Sequence, residues 1–333
     1  MRIAVDVMGS DKCPVPDVEG AVLAAKEFKN TILLVGDETK IQHELEKYET
    51  RELSLEIVHA RQTITMTDKP GVSGKEKPDS SMHVGMNLIA DGKADAFVTA
   101  GNTGAALAIA TLFTLHRIPG VKRPALGSII RLPENRSIIL LDIGANTDSK
   151  PDWLMQYGIM GSIYAQRTSG ILKPRIALLS NGEEDGKGSQ LVVETSQLMK
   201  ESHLNYVGNI EPRAMLKGDA DVIVSDGFVG NLVIKSFEAM GSALSDLIRK
   251  EIRRDLRSKL GGLLAIPAFR RVAKQIDPFE IGGAPLLGVN GVVIIGHGRS
   301  DAIAIKNAIR QARLAVISGV IPSIQEGLRK SSV

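Results

Sequence analysis

From residue 2 to about residue 318 the chain alternates short, mostly apolar runs with longer stretches of helical spacing. Runs at 2–7, 31–36, 53–59, 94–100, 125–131, 137–143, 175–179, 204–208, 221–225 and 291–296 have strand length. The run Arg175–Leu179 is of the kind that forms a buried strand. Between them, 15–29, 38–48, about 80–91, 103–116, 151–167, 191–200 and 301–318 carry apolar residues at helical spacing. A short helix is expected before 221, and the polar stretch up to about residue 80 reads as loop. The rhythm predicts an α/β protein with a mainly parallel sheet and helices on both faces.

In such sheets ligands collect at the carboxyl ends of the strands. The loops there read Asp6-Val-Met-Gly-Ser-Asp11, Ala100-Gly-Asn-Thr-Gly104, Asp142-Ile-Gly-Ala-Asn-Thr-Asp148, Asn181 to Gly188, Ser225-Asp-Gly-Phe-Val-Gly-Asn231 and Gly296-His-Gly-Arg-Ser-Asp301. Each alone is an ordinary turn. Together on one edge they would line a polar cleft rich in backbone donors and amide side chains. Ser180 to Gln190 stands out, because a glycine-rich turn between strand and helix leaves amides free for an anion, with Lys187 between Gly186 and Gly188. A solvated loop lysine is the alternative. The spacing is not that of a P-loop, since three residues separate Gly182 from Gly186.

The segment from Asn231 to Ile276 interrupts the rhythm. Residues 231–260 can run as one helix, with no proline before Pro267. Arg249, Lys250, Arg253, Arg254, Arg257, Lys259, Arg270, Arg271 and Lys274 face only Glu251 and Asp255 as acids, and Leu260 to Phe269 carries no charge. A helical hairpin at about 232–276, basic on its flanks and apolar at its tip, suits an anionic membrane surface, with Leu260, Leu263, Leu264 and Ile266 as membrane contacts. Burial of the tip against a second subunit is the other reading.

Composition narrows the class. Hydrophobic content of 43% with 24% charged residues is ordinary for a globular chain. A net charge of +3 and 4% aromatic residues argue against nucleic acid as a partner. The single cysteine, Cys13, excludes an intrachain disulfide, and the histidines lack metal-ligand spacing, so no metal is expected. The start of the chain reaches Asp6 at once and reads as no signal peptide, and no run suits a membrane span, so the cytoplasm is the expected compartment. Neither G-x-S-x-G nor H-E-x-x-H occurs, and no G-x-G-x-x-G follows the first strand. What remains suits an anionic substrate that is itself the nucleophile, held in a cradle of donors.

Taken as a set, these loops resemble the bacterial phosphate acyltransferases of the PlsX family. The resemblance rests on Met1 to Asp6 with Met8-Gly-Ser-Asp11, Ser80-Ser-Met82, Ala100 to Ala105, Arg123-Pro-Ala125, Leu141 to Asn146, Met160-Gly161, Glu184-Asp185 with Lys187-Gly188, Asp226 to Asn231, Gly282-Gly283 and His297 to Asp301. It departs from the family pattern at Ser10, Cys13 and Gly186. The resemblance implies a three-layer α/β/α sandwich similar to the isocitrate and isopropylmalate dehydrogenases, forming a single domain over 1–333. It implies transfer of a fatty acyl group from acyl carrier protein to inorganic phosphate, giving acyl phosphate for a downstream glycerol-phosphate acyltransferase in phospholipid synthesis. It further implies a homodimer, peripherally bound to membrane and working without a cofactor. Carried over by motif, the catalytic residues are Lys187 and Asn231. Asn102, Thr103, Gly104, Asn146, Asn181, Gly188, Asp226, Gly227 and His297 are the expected phosphate- or substrate-binding residues. A short-chain acyl-CoA:phosphate acyltransferase and a non-catalytic membrane scaffold are the rival functions.

Overall fold

The computed structural model describes residues 1–134, 136–276 and 280–331. Its strands are β1 (Arg2–Asp6), β2 (Thr31–Gly36), β3 (Leu55–His59), β4 (Ala96–Thr99), β5 (Ala125–Arg131), β6 (Ser137–Leu141), β7 (Ile176–Leu179), β8 (Tyr206–Ile210), β9 (Val222–Val224), β10 (Ala284–Leu287) and β11 (Val292–Ile295). They form one sheet in the order β3-β2-β1-β4-β11-β10-β5-β6-β9-β7-β8. The helices are α1 (Val15–Phe28), α2 (Glu38–Leu45), α3 (Pro70–Glu76), α4 (Ser81–Ala90), α5 (Thr103–Ala108), α6 (Pro151–Ser169), α7 (Gln190–Lys200), α8 (Pro212–Lys217), α9 (Gly227–Ile252), α10 (Leu256–Ile276), α11 (Ala302–Ile317) and α12 (Val320–Ser331).

The predicted three-layer sandwich is present. On one face a single apolar core runs the length of the sheet, filled by α1, α6, α11 and α12. On the other face the core is split, with α4 and α5 over the first half of the sheet and α8 and α9 over the second. Central strands such as β1, β4, β7 and β9 are buried on both faces, which is why their sequences are apolar runs. Helix starts follow side-chain capping: Ser80, Asn102, Ser189, Asp226 and Asp301 each accept the backbone N–H three residues on.

Strand direction overturns one expectation. β1, β2, β3, β4 and β11 are mutually parallel. β10 is antiparallel to both β11 and β5, and β5 is antiparallel to β6, so β6, β9, β7 and β8 run the other way. The strand-exit loops therefore fall on two opposite edges of the sheet rather than on one. The register sets the offset: Ala284 pairs with Ile295 at the end of β11, whereas Leu287 pairs with Ala125 beside the end of β6. Across the three residue steps from Ala284 to Leu287 that is roughly 10 Å along the strand direction.

Smaller differences have local causes. β10 escapes the apolar-run criterion because Gly282, Gly283 and Pro285 break it, and proline normally argues against a central strand. The helix expected over 231–260 begins at Gly227 and stops at Ile252, and Asp255 starts α10 by accepting the Ser258 N–H at 2.8 Å. No glycine or proline marks that break. α3 lies in the stretch expected as loop, and α12 follows the predicted last helix, seating Val320, Ile324 and Leu328 in the core.

α10 packs on α9 where Gly262 meets Ile252. Leu256, Leu260, Leu263 and Leu264 are exposed, Leu264 at 84%, and Ile266 only just so. The side chains of Arg270 and Lys274 lie outside the described residues. Among the described residues no helix is long and apolar enough to cross a membrane.

Candidate active site

Lys187 is exposed in the turn between β7 and α7. Gly186 and Gly188 on either side take φ of 84° and 105°, backbone that a side chain would strain, so the flanking glycines are required by the turn itself. The lysine stem packs over Gly182. Among the described residues its ammonium meets no carboxylate and no carbonyl, and the amides of Gly186 and Gly188 have no acceptor. The loop is held from below by Asn209, whose side chain donates to the carbonyls of Glu184 and Lys187. Asn181 is exposed at the same strand exit.

Asn231 lies in the second turn of α9, which leaves the end of β9, the strand next to β7. A Cβ placed on Gly144 would lie 3.6 Å from the Asn231 Nδ2, so the β6 exit loop runs beside this side chain. Lys187 and Asn231 thus stand on one edge, at neighbouring strands about 5 Å apart. Asn181, Gly188, Asn146, Asp226 and Gly227 share it. Asp226 is not free to meet an anion, because its carboxylate caps α9 by accepting the Val229 N–H at 2.8 Å. Gly227 donates its amide to the Asn146 carbonyl at 2.8 Å.

Asp142, which the loop patterns did not single out, organises this corner. It is fully buried, and burial pushes its carboxyl above the usual range while surrounding N–H groups oppose that shift. Its Oδ1 accepts from the amides of Leu126, Gly144 and Ala145, and its Oδ2 from the backbone and side-chain N–H of Asn146. The one available signal in the sequence was an acid placed directly after the apolar run of β6.

Asn102, Thr103, Gly104 and His297 lie on the opposite edge, at the exits of β4 and β11. The Asn102 amide donates to the carbonyls of Thr65, Met66 and Asp68, and its oxygen caps α5. The exposed His297 accepts the Arg299 N–H on its Nδ1. Beneath them Asp6 accepts from Thr99 Oγ1 at 2.8 Å and from the Met8 amide, and Asp17 accepts from Ser10 Oγ at 2.5 Å. Both acids are buried. Burial pushes Asp6 up, and burial followed by the nearby Asp6 charge pushes Asp17 up to about 7. No hydrogen bond or ion pair among the described residues joins the two edges.

Residues 1–323 match a family described as "Fatty acid synthesis protein". A phosphate acyltransferase of Dictyoglomus turgidum is 47% identical over 331 residues, covering 99% of this chain and 98% of that protein. A phosphate acyltransferase of Syntrophotalea carbinolica is 47% identical over 315 residues, 94% of this chain and 90% of its own. Among solved structures, a phosphotransacetylase from Streptococcus pyogenes superposes with a TM-score of 0.62 at 18% identity, over 95% of this chain and 94% of its own. A 4-hydroxythreonine-4-phosphate dehydrogenase from Klebsiella pneumoniae gives 0.52 at 14% identity, over 95% of this chain and 99% of its own. At such identities the structures are alike in fold.

Proposed function

Because the chain belongs to the PlsX family of fatty acid synthesis proteins, we propose that it is a phosphate acyltransferase that moves a fatty acyl group from acyl carrier protein to inorganic phosphate. The observation that carries the reading is the Lys187 ammonium, uncompensated among the described residues, between two left-handed glycines on the same edge as the Asn231 amide. Phosphate is anionic at neutral pH and needs no base to become a nucleophile. One phosphate oxygen attacks the thioester carbonyl, a C–O bond forms, and the C–S bond breaks as the tetrahedral intermediate collapses. The thiolate leaves and takes a proton from solvent. Lys187 and the Gly186 and Gly188 amides hold phosphate, while the Asn231 amide orients it or donates to the developing oxyanion.

Residues 1–333 form one catalytic domain, and the acyl phosphate passes to a glycerol-phosphate acyltransferase for phospholipid synthesis. The exposed leucines of α10 and the arginines beside them support residence at an anionic membrane surface, each base adding about 1 kcal/mol there. An exposed apolar stripe on α9, with Leu232, Met240, Leu244 and Leu247, favours a homodimer.

The test measures phosphate-dependent loss of thioester with palmitoyl-acyl carrier protein and with acetyl-CoA. Turnover of the first supports the reading. Turnover of acetyl-CoA alone makes the protein a short-chain transferase, and turnover of neither leaves the scaffold reading. Changing Leu263 and Leu264 to Glu should release the protein from anionic vesicles with activity on soluble donor intact. Loss of the dimer instead would mean the tip is buried between subunits.

A further inference from the structure

The β6 exit loop carries three backbone amides in succession, those of Gly144, Ala145 and Asn146, and a phosphate cradle would turn them outward. Here all three turn inward to one carboxylate. Asp142 is at 0% exposure, accepts five N–H groups and pairs with no cation among the described residues. Burying an uncompensated carboxylate is costly even with good hydrogen bonds. A buried charge kept without a counter-ion among the described residues needs a reason at this place.

Its surroundings supply one. The first turn of α9 is built directly on this residue. A Cβ at Gly227 would come within 2.9 Å of Asp142 Oδ2 and 2.6 Å of the Asn146 carbonyl, and one at Gly230 would come within 1.9 Å of the Asp142 carbonyl. The helix therefore approaches as closely as it does only because those two positions lack side chains. The Asn146 carbonyl, held by the turn that Asp142 closes, receives the Gly227 N–H. The Asn146 amide also ties that turn to the Pro124 carbonyl at 2.7 Å. The same turn places Gly144 against the side chain of Asn231. One buried group thus fixes both the helix that carries Asn231 and the loop on which its side chain rests.

We propose that Asp142 is the positioning residue of this site: its buried carboxylate locks the 143–146 turn under α9 and so sets the direction of the Asn231 amide toward phosphate. The inference rests on the functional reading above and adds to it a residue that touches no substrate. An acceptor with both oxygens occupied by N–H groups has no neutral substitute. In Asp142→Asn, one carboxamide nitrogen would point hydrogens at the N–H groups of Asn146, and the turn must loosen.

A double-mutant cycle in the full-length protein tests this, with kcat, the KM for phosphate, the KM for palmitoyl-acyl carrier protein, and inorganic phosphate binding by calorimetry as readouts. Asp142→Asn should raise the phosphate KM and Kd about tenfold or more and leave the donor KM within about twofold. Added to Asn231→Ala, it should cost little further, because both changes remove the same oriented amide. A purely structural Asp142 predicts the opposite pattern, with a lower melting temperature and active fraction, an unchanged phosphate KM and additive losses. If Asp142→Asn does not fold, Asn146→Ala takes its place in the cycle, since it keeps the carboxylate but removes the side-chain tethers to Asp142 and Pro124. Additivity with Asn231→Ala in the folded variant overturns the proposal. A wild-type protein that neither binds phosphate nor consumes thioester overturns the functional reading itself, and the positioning role with it.

Discussion

The edge at the ends of β1, β4 and β11 and the edge at the ends of β6, β9 and β7 use similar loop sequences to opposite effect. The first buries Asp6 and Asp17 beneath its loops, and its amide side chain, Asn102, is spent on three carbonyls of the 65–68 segment. The second buries Asp142, satisfies it with five donors, and among the described residues leaves the terminal groups of Lys187 and Asn231 without protein partners. Donors without an acceptor are what the proposed phosphate site needs, whereas the first edge spends Asn102 on its own loops and buries Asp17 Oδ1 and Ser300 Oγ with no hydrogen-bond partner among the described residues. Glycine with Asn, Asp, Ser or Thr is common to both, so composition alone does not tell them apart.

The largest expected effect tests the open edge. Lys187→Ala should lower kcat/KM for phosphate-dependent acyl transfer by a factor of about a hundred or more, some 3 kcal/mol of transition-state stabilisation. The fold should stay intact by circular dichroism, because the side chain is exposed. Wild-type turnover would remove Lys187 from the site. Next in size, Asn231→Asp should raise the phosphate KM more than Asn231→Ala does, because it sets a carboxylate beside the anion. Equal KM values in the two variants would separate Asn231 from bound phosphate.

The closed edge should answer in stability. Burial raises the Asp17 carboxyl from its unfolded value of 3.8 to about 7, so between those values the unfolded chain has released a proton that the folded chain keeps. Stability is then fully present below about pH 4 and falls as pH rises toward 7. Asp17→Asn should flatten the melting temperature across that window, a change of several degrees at most. An unchanged slope would mean that Asp17 is ionised throughout. The smallest effect is expected for His297→Ala, which should keep kcat/KM within about threefold. A hundredfold loss there would instead mean that the two edges meet across a subunit boundary, each completing the other's site.

Much of the molecule is legible in the sequence, for physical reasons. Strands buried on both faces must be apolar throughout, so β1, β4, β6 and β11 announce themselves, and the alternation with helices fixes the α/β class. The turn around Lys187 is legible too, since two flanking glycines between a strand and a helix describe a left-handed turn by local chemistry alone, and its role toward an anion is part of the proposed function. Strand direction is not local. β10 hides behind two glycines and a proline, and its antiparallel pairing with both neighbours is what reverses the second half of the sheet. Only the folded sheet could therefore separate His297 and Asn102 from Lys187 and Asn231. Asp142 was beyond sequence for a related reason. Its five donors come from residues 126, 144, 145 and 146, and its closeness to α9 depends on glycines 227 and 230. Sequence shows which residues can bury or donate. Tertiary structure alone decides which of them meet.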